Sequence, residues 1–183
     1  MAVEIPLARL RELFDYDPET GLFARRYVAG GSSARNTRWA GKPGMTRVHK
    51  QGYRIGYVDG RTVYAHRAAW ALHYGAWPAD EIDHINHDPS DNRIANLRAA
   101  SRTENTRNHP RMRHNTSGHT GVYRRKNRWA AMIRVDRVLH RLGSFENLED
   151  AVASRKAAEL RFGFHTNHGM ARASHTVRPV DDA

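Results

Sequence analysis

Cysteine is missing altogether from the 183 residues. Its absence excludes disulfides, a thiolate zinc site and a cysteine nucleophile, so any metal chemistry falls to carboxylates, amides and the twelve histidines. That donor set leans toward hard, oxygen-ligated ions. Long apolar runs are missing too. None approaches the roughly 18 apolar residues of a membrane span, and the opening MAVEIPLARLRELF reads as an amphipathic helix rather than a charged-then-apolar leader. The expectation is a soluble, intracellular, cytoplasmic protein with no membrane partner. Acidic residues are scarce beside basic ones: 19 Asp and Glu face 30 Lys and Arg, giving a formal net charge of +11 and a pI near 10.6. Such a balance favours a polyanionic partner, nucleic acid first.

What is present comes in pieces. Apolar residues form short clusters separated by polar stretches, which predicts small modules in series rather than one large core. Leu7, Leu10, Leu13 and Phe14 stand at helical spacing before the DYDPETG turn, and LFARR follows as a short strand. Residues 29–47, rich in Gly, Ser and Arg, read as a basic mobile loop. GYRIGYV and RTVYAHR flank Asp59-Gly60, a pair suited to a tight hairpin. HRAAWALHYG then reads as a helix with Trp70 in the core and Gly75 as its stop. EIDHI is a predicted strand, HDPSDNRIAN a loop and LRAA a return strand. Ser101 opens an S-x-x-E capping box that starts a helix carrying Asn105. Further on, TGVYRRK, RWAAMIRV and RVLHRLGSF read as three strands before the amphipathic NLEDAVASRKAAELRFG. In that helix Ala151, Val152, Ala158, Leu160 and Phe162 supply the apolar side, and Glu149, Asp150 and Lys156 the solvated one.

The densest chemistry lies in IDHINHD, where Asp83 and His84 are adjacent and Asn92, Asn96 and Asn105 follow. An Asp can hold a hard divalent cation while the neighbouring His, pointing the other way along a strand, takes a proton from water. His87 and Asp88 read as loop residues.

The segment HRAAWALHYGAWPADEIDHINHDPSDNRIANLRAASRTENTRN resembles the HNH endonucleases of phages and mobile introns, with Asn96 and Asn105 at 13 and 22 residues after Asp83. The resemblance implies a ββα-metal unit. It casts Asp83 and Asn105 as ligands of one divalent ion (Mg or Mn), His84 as general base, Asn96 as the residue orienting His84 and Asn92 as loop support. SGHTGVYRRKNRWAAMIRVDRVLHRLGSFENLEDAVASRKAAELRFG is similar to the Apetala/ethylene-response-factor DNA-binding domain, with a three-stranded sheet in the major groove. Strand alternation sends Arg124, Lys126 and Arg128 to one side. The candidate DNA contacts are Arg124, Arg125, Lys126, Arg128, Trp129, Arg134 and Arg141.

The expected architecture is therefore α+β, divided into an N-terminal helix and β-hairpin region with a basic loop (1–65), an HNH module (66–110), a linker (111–116), an ethylene-response-factor-like domain (117–165) and a flexible tail (166–183). The expected function is a metal-dependent DNA endonuclease of homing type, nicking or site-preferring, acting on double-stranded DNA in the cytoplasm, a host's if phage-encoded. The alternative is a noncatalytic DNA-binding transcriptional regulator using the C-terminal sheet. No protein partner is expected, and monomer and dimer both stay open.

Overall fold

The computed structural model describes residues 4–112 and 114–171, with only the backbone described at residue 35. The architecture is mixed α+β, with four small antiparallel sheets and five α-helices among the described residues. No described helix is long and apolar enough to cross a membrane. The described residues fall into two compact units, 4–101 and 102–171.

In the first unit, helix α1 (Leu7–Leu13) buries Leu10 and Leu13, three residues apart on one face. The backbone turns extended at Phe14 into strand β1 (Phe14–Tyr16), which pairs with β2 (Phe23–Arg25). Phe23 meets Phe14 edge-on at 6.2 Å and Tyr16 at 5.0 Å. The stretch 29–47, expected to be a mobile loop, is built structure. It holds helix α2 (Ser33–Trp39), strand β3 (Pro43–Gly44) on the edge of the β1–β2 sheet, and the start of β4 (Arg47–Val48). The cause is polar: the buried Asn36 amide accepts from the Val28 N–H and donates to the Val28 carbonyl, both at 2.9 Å. One side chain thus does locally what a hydrophobic cluster does elsewhere, and apolar patterning does not register it.

Strands β4, β5 (Arg54–Val58) and β6 (Arg61–Tyr64) form the second sheet. Asp59 and Gly60 turn between β5 and β6 with φ of 47° and 77°, the two positive angles that the hairpin requires. Helix α3 (Ala65–Tyr74) leaves β6 directly and buries Ala65, Ala68, Ala69 and Ala71, small residues that admit close neighbours. Strands β7 (Glu81–His84) and β8 (Leu97–Ala100) pair antiparallel across a loop that ends in a 3-10 turn at Ile94–Asn96. Leu10, Phe14, Val58, Ala69, Ile82 and Leu97 belong to one core. The boundary expected at 65/66 therefore does not divide cores. Leu10, fully buried, contributes roughly 1.5–3 kcal/mol by leaving water.

The second unit opens with helix α4 (Arg102–Arg107), starting directly after Ser101 as the capping signal predicts. Strands β9 (Val122–Arg125), β10 (Arg128–Val135) and β11 (Val138–Phe145) form an antiparallel sheet of order β11-β10-β9, and helix α5 (Leu148–Arg161) covers one face around Val122, Ala131 and Ala151. The three strands and helix expected within 117–165 are all present. The expected polarity of α5 is not kept throughout. Leu160 is 74% exposed, whereas Arg155 and Glu159 are buried, because Arg155 pairs with Glu159 at 2.9 Å and also donates to the Met132 carbonyl of β10. The tail expected to be flexible from 166 is anchored over its first residues: His168 is buried, Gly169 N–H donates to His109 and Arg111 N–H to Met170. Residues 172–183 lie outside the described residues.

Candidate active site

The candidate site is built on the β7–β8 pair. Register sets Asp83 opposite Arg98 and His84 opposite Leu97. Asp83 Oδ2 accepts from Arg98 Nε at 3.0 Å and Nη2 at 2.8 Å. The carboxylate is largely withdrawn from water, at 8% exposure, and this cross-strand guanidinium offsets the cost of burying its charge. Arg98 is absent from the sequence expectation, since its partnership depends on a strand register that no local motif announces.

His84 is buried with its ring 5.2 Å from His66 and 5.8 Å from Tyr53. Its Nε2 stands 3.4 Å from Asn92 Oδ1, at the long end of hydrogen bonding. The other end of that amide donates to the Ser90 carbonyl at 3.3 Å, which fixes the oxygen toward the ring. A carboxamide oxygen only accepts, so Nε2 carries the proton and the ring lone pair falls on Nδ1. Burial lowers the His84 pKa below the ordinary imidazole value, against the opposing pull of Asn92 and of the Asp83, Asp88 and Asp91 carboxylates. His84 is thus neutral near pH 7, as a proton acceptor must be. His66 behaves similarly: burial, then His84 and Arg67, push it down to about 3. Its Nδ1 is buried without a hydrogen-bond partner among the described residues.

The two loop asparagines make different contacts. Asn92 touches His84, whereas the Asn96 side chain accepts from the Asn86 N–H at 3.0 Å and donates to the Asp91 carbonyl at 2.9 Å. The Asn96 carbonyl also receives the Ile85 N–H. Asn96 therefore ties the two ends of the loop together. Spacing alone does not separate the two roles, because the loop folds back on itself. Asp88 behaves as the loop residue it was expected to be, accepting from the Ser90 N–H and hydroxyl.

Support also arrives from the N-terminal region. The Tyr16 hydroxyl donates to the Asn92 carbonyl at 2.8 Å, and the Ile94 N–H donates to the Pro18 carbonyl at 3.0 Å. Gly21, at φ 73°, lies so close that a Cβ there would stand 2.5 Å from Arg93 N and 2.6 Å from Asn92 C. The turn before LFARR is thus a backstop for the residue that holds His84.

Asp83, His84, Asn92 and Asn96 all belong to the first unit, and Asn105 stands half-buried on α4 of the second. No three His, Cys, Asp or Glu side chains gather as a metal cage among the described residues. In the first unit the Asp83 carboxylate, with waters, is a ligand of the kind taken by a hard divalent ion, which parts with water reluctantly. A carboxylate has lone pairs enough to keep Arg98 on one side while binding an ion on another.

In the second unit the DNA-contact candidates divide between faces. Trp129 packs against the Val122–Ala131–Ala151 core, and Arg124, its cross-strand neighbour, lies over its ring at 5.5 Å. Arg125 pairs with Arg128, one position off in each strand and so on the opposite face. Alternation along β10 adds Arg134, and pairing with Met132 adds Arg141. Arg124 and Arg128 therefore do not share a side. Lys126 occupies the turn between β9 and β10, with φ 54°. Arg128 also bonds Glu146 at 3.2 Å.

Residues 63–107 match the family model of the HNH endonucleases. The match contains Asp83, His84, Asn92, Asn96 and Asn105, and also His66 and Arg98. No curated protein and no solved structure matches the chain.

Proposed function

We propose that the chain is a metal-dependent DNA endonuclease that nicks one strand at a time. The observation that carries this reading is a buried, neutral His84 with its tautomer set by Asn92, beside the Asp83 carboxylate, inside the segment that matches the HNH endonucleases. Asp83 and Asn105 would hold one divalent ion, Mg or Mn. When bound, the ion would polarise the scissile phosphate and stabilise the departing oxygen. His84 Nδ1 takes the proton of the water that attacks phosphorus, and the P–O bond to the leaving group breaks. Asn92 keeps the ring in its productive tautomer, Asn96 holds the loop, and Arg98 keeps Asp83 aimed. The basic sheet of the second unit supplies affinity and some site preference, the economy of a homing-type enzyme.

The second reading is a noncatalytic DNA-binding regulator. The Arg98–Asp83 ion pair favours it, since it can also serve merely to hold the hairpin together. Supercoiled plasmid incubated with the full chain distinguishes the two. Open circles formed with Mg or Mn, abolished by chelator and by His84→Ala while DNA binding persists, are the expected result. Intact plasmid under every metal, with DNA still bound, overturns the enzyme in favour of the regulator. Asn105→Ala, read in parallel, should raise the metal concentration required.

A further inference from the structure

We propose that the second unit carries a binding cleft for a nucleoside phosphate, with the base against Met132, Leu139 and Phe164 and the phosphate on Arg102, Arg134 and Arg137. The cleft, about 890 Å³, is lined by α4 and the segment after it, the end of β10, the β10–β11 turn and the residues following α5. Its size falls in the range of small-ligand sites. Its charge is one-sided. Five arginines face a single lining carboxylate, Asp136. Arg107 approaches Asp136 at 3.6 Å and lies over Phe164 at 5.8 Å, and Arg155 is committed to Glu159. Arg102, Arg134 and Arg137 have no acidic partner among the described residues and are exposed. Planar guanidiniums recognise phosphate oxygens in pairs, which suits an oxyanion better than a single point charge would.

The opposite wall explains why the ligand is more than phosphate. Leu139 is 42% exposed and Met112 55% exposed, so large apolar groups stand in the open beside the arginines with Met132 and Phe164. Thioether, branched and aromatic surfaces next to guanidinium planes accept a flat heterocycle on its faces. Arg155 Nη2 can only donate, so His168 Nε2, 3.2 Å away, must accept, and the His168 proton resides on Nδ1. That nitrogen and the Thr120 hydroxyl are buried without partners among the described residues. Burial, with Arg155 and Lys156 nearby, lowers the His168 pKa to about 4, so the ring is neutral near pH 7.

A nucleoside phosphate can be a free mononucleotide or one unit of a bound strand; the strand source rests on the proposed function, whereas the ligand class does not. The full chain is titrated calorimetrically in chelator, without cleavage, with deoxynucleoside 5′-monophosphates, deoxyadenosine and inorganic phosphate. A monophosphate is expected to bind about tenfold or more tighter than either half alone. Arg134→Gln/Arg137→Gln and, separately, Leu139→Asp should each weaken it by about tenfold at unchanged melting temperature. Equal binding of phosphate and nucleotide, variants without effect, or no nucleotide binding at all would overturn the proposal. Displacement of a labelled single-stranded oligonucleotide by the mononucleotide identifies a strand unit as occupant, and nucleotide binding without displacement identifies the free molecule. Because no metal is present, a failure of the nuclease reading leaves these outcomes untouched.

Discussion

Two asparagines four positions apart do different work, and their removal should separate chemistry from folding. Asn92 meets His84 with its side chain and the N-terminal turn with its carbonyl. Asn92→Ala should lower the nicking rate about 10–100-fold, as loss of an orienting partner does, while Mg or Mn dependence persists. Asn96 closes two loop hydrogen bonds. Asn96→Ala should cost about 1–3 kcal/mol of stability and leave the rate per folded molecule near that of the parent, as read from melting and nicking on the same samples. An equal rate loss in both would return the orienting role to Asn96. His66 makes a prediction in pH. Its pKa is about 3 folded against an ordinary 6.5, so below pH 6.5 the unfolded chain binds the proton that the folded chain refuses. The stability contribution is complete above about 6.5 and is lost as pH falls toward 3, by up to ~1.4 kcal/mol per pH unit. Urea unfolding at about pH 7 and about pH 5 should give a flatter dependence for His66→Phe than for the parent. Parallel curves would show that His66 does not stay neutral when buried.

At the scale of elements, the β1–β2 turn is the unexpected participant in the site. Gly21 lets it approach Asn92 and Arg93 to distances no other residue allows, and its φ of 73° disfavours a side chain independently. Gly21→Ala should cost about 1–3 kcal/mol and, by displacing Asn92, reduce nicking beyond what the stability loss explains. Tyr16→Phe, which removes only the 2.8 Å bond to Asn92, should reduce it less. Unchanged rates in both would separate the turn from the site. What could be read beforehand follows the range of the interaction. The Asp59-Gly60 hairpin, helix α3, strands β7 and β8, and the start of α4 all rest on local signals, and each lies where the pattern puts it. Helix α2 did not show, because a polar residue, Asn36, holds it. Nor did Arg155–Glu159, a buried pair four residues apart that apolar periodicity does not register. In the candidate site, Asp83, His84 and the asparagines were legible as chemistry. Arg98, Tyr16 and Gly21 were not, because their contacts cross 15, 76 and about 70 positions of chain.

For the whole molecule, an excess of eleven positive charges makes affinity for DNA salt-dependent whatever the active centre does, so bare affinity does not test the recognition surface. The division of arginines across the second unit's sheet does. Arg125, Arg128, Arg134 and Arg141 lie on the face turned away from α5, whereas Arg124 spends its guanidinium on Trp129. If the outer face grips the backbone, each phosphate contact removed should lower the slope of log affinity against log salt by about 0.9. Arg125→Gln, Arg128→Gln and Arg141→Gln together should therefore flatten the slope by about 2–3. Nicking at saturating DNA should persist, since none of the three belongs to the candidate centre. Arg124→Gln should leave the slope nearly unchanged and cost about 0.5–1 kcal/mol of stability through its lost stacking. The opposite pattern, a slope that follows Arg124 and ignores the outer three, would move the DNA to the helix-covered side. There α5 already occupies the sheet, and binding would require the core around Trp129 and Ala151 to open.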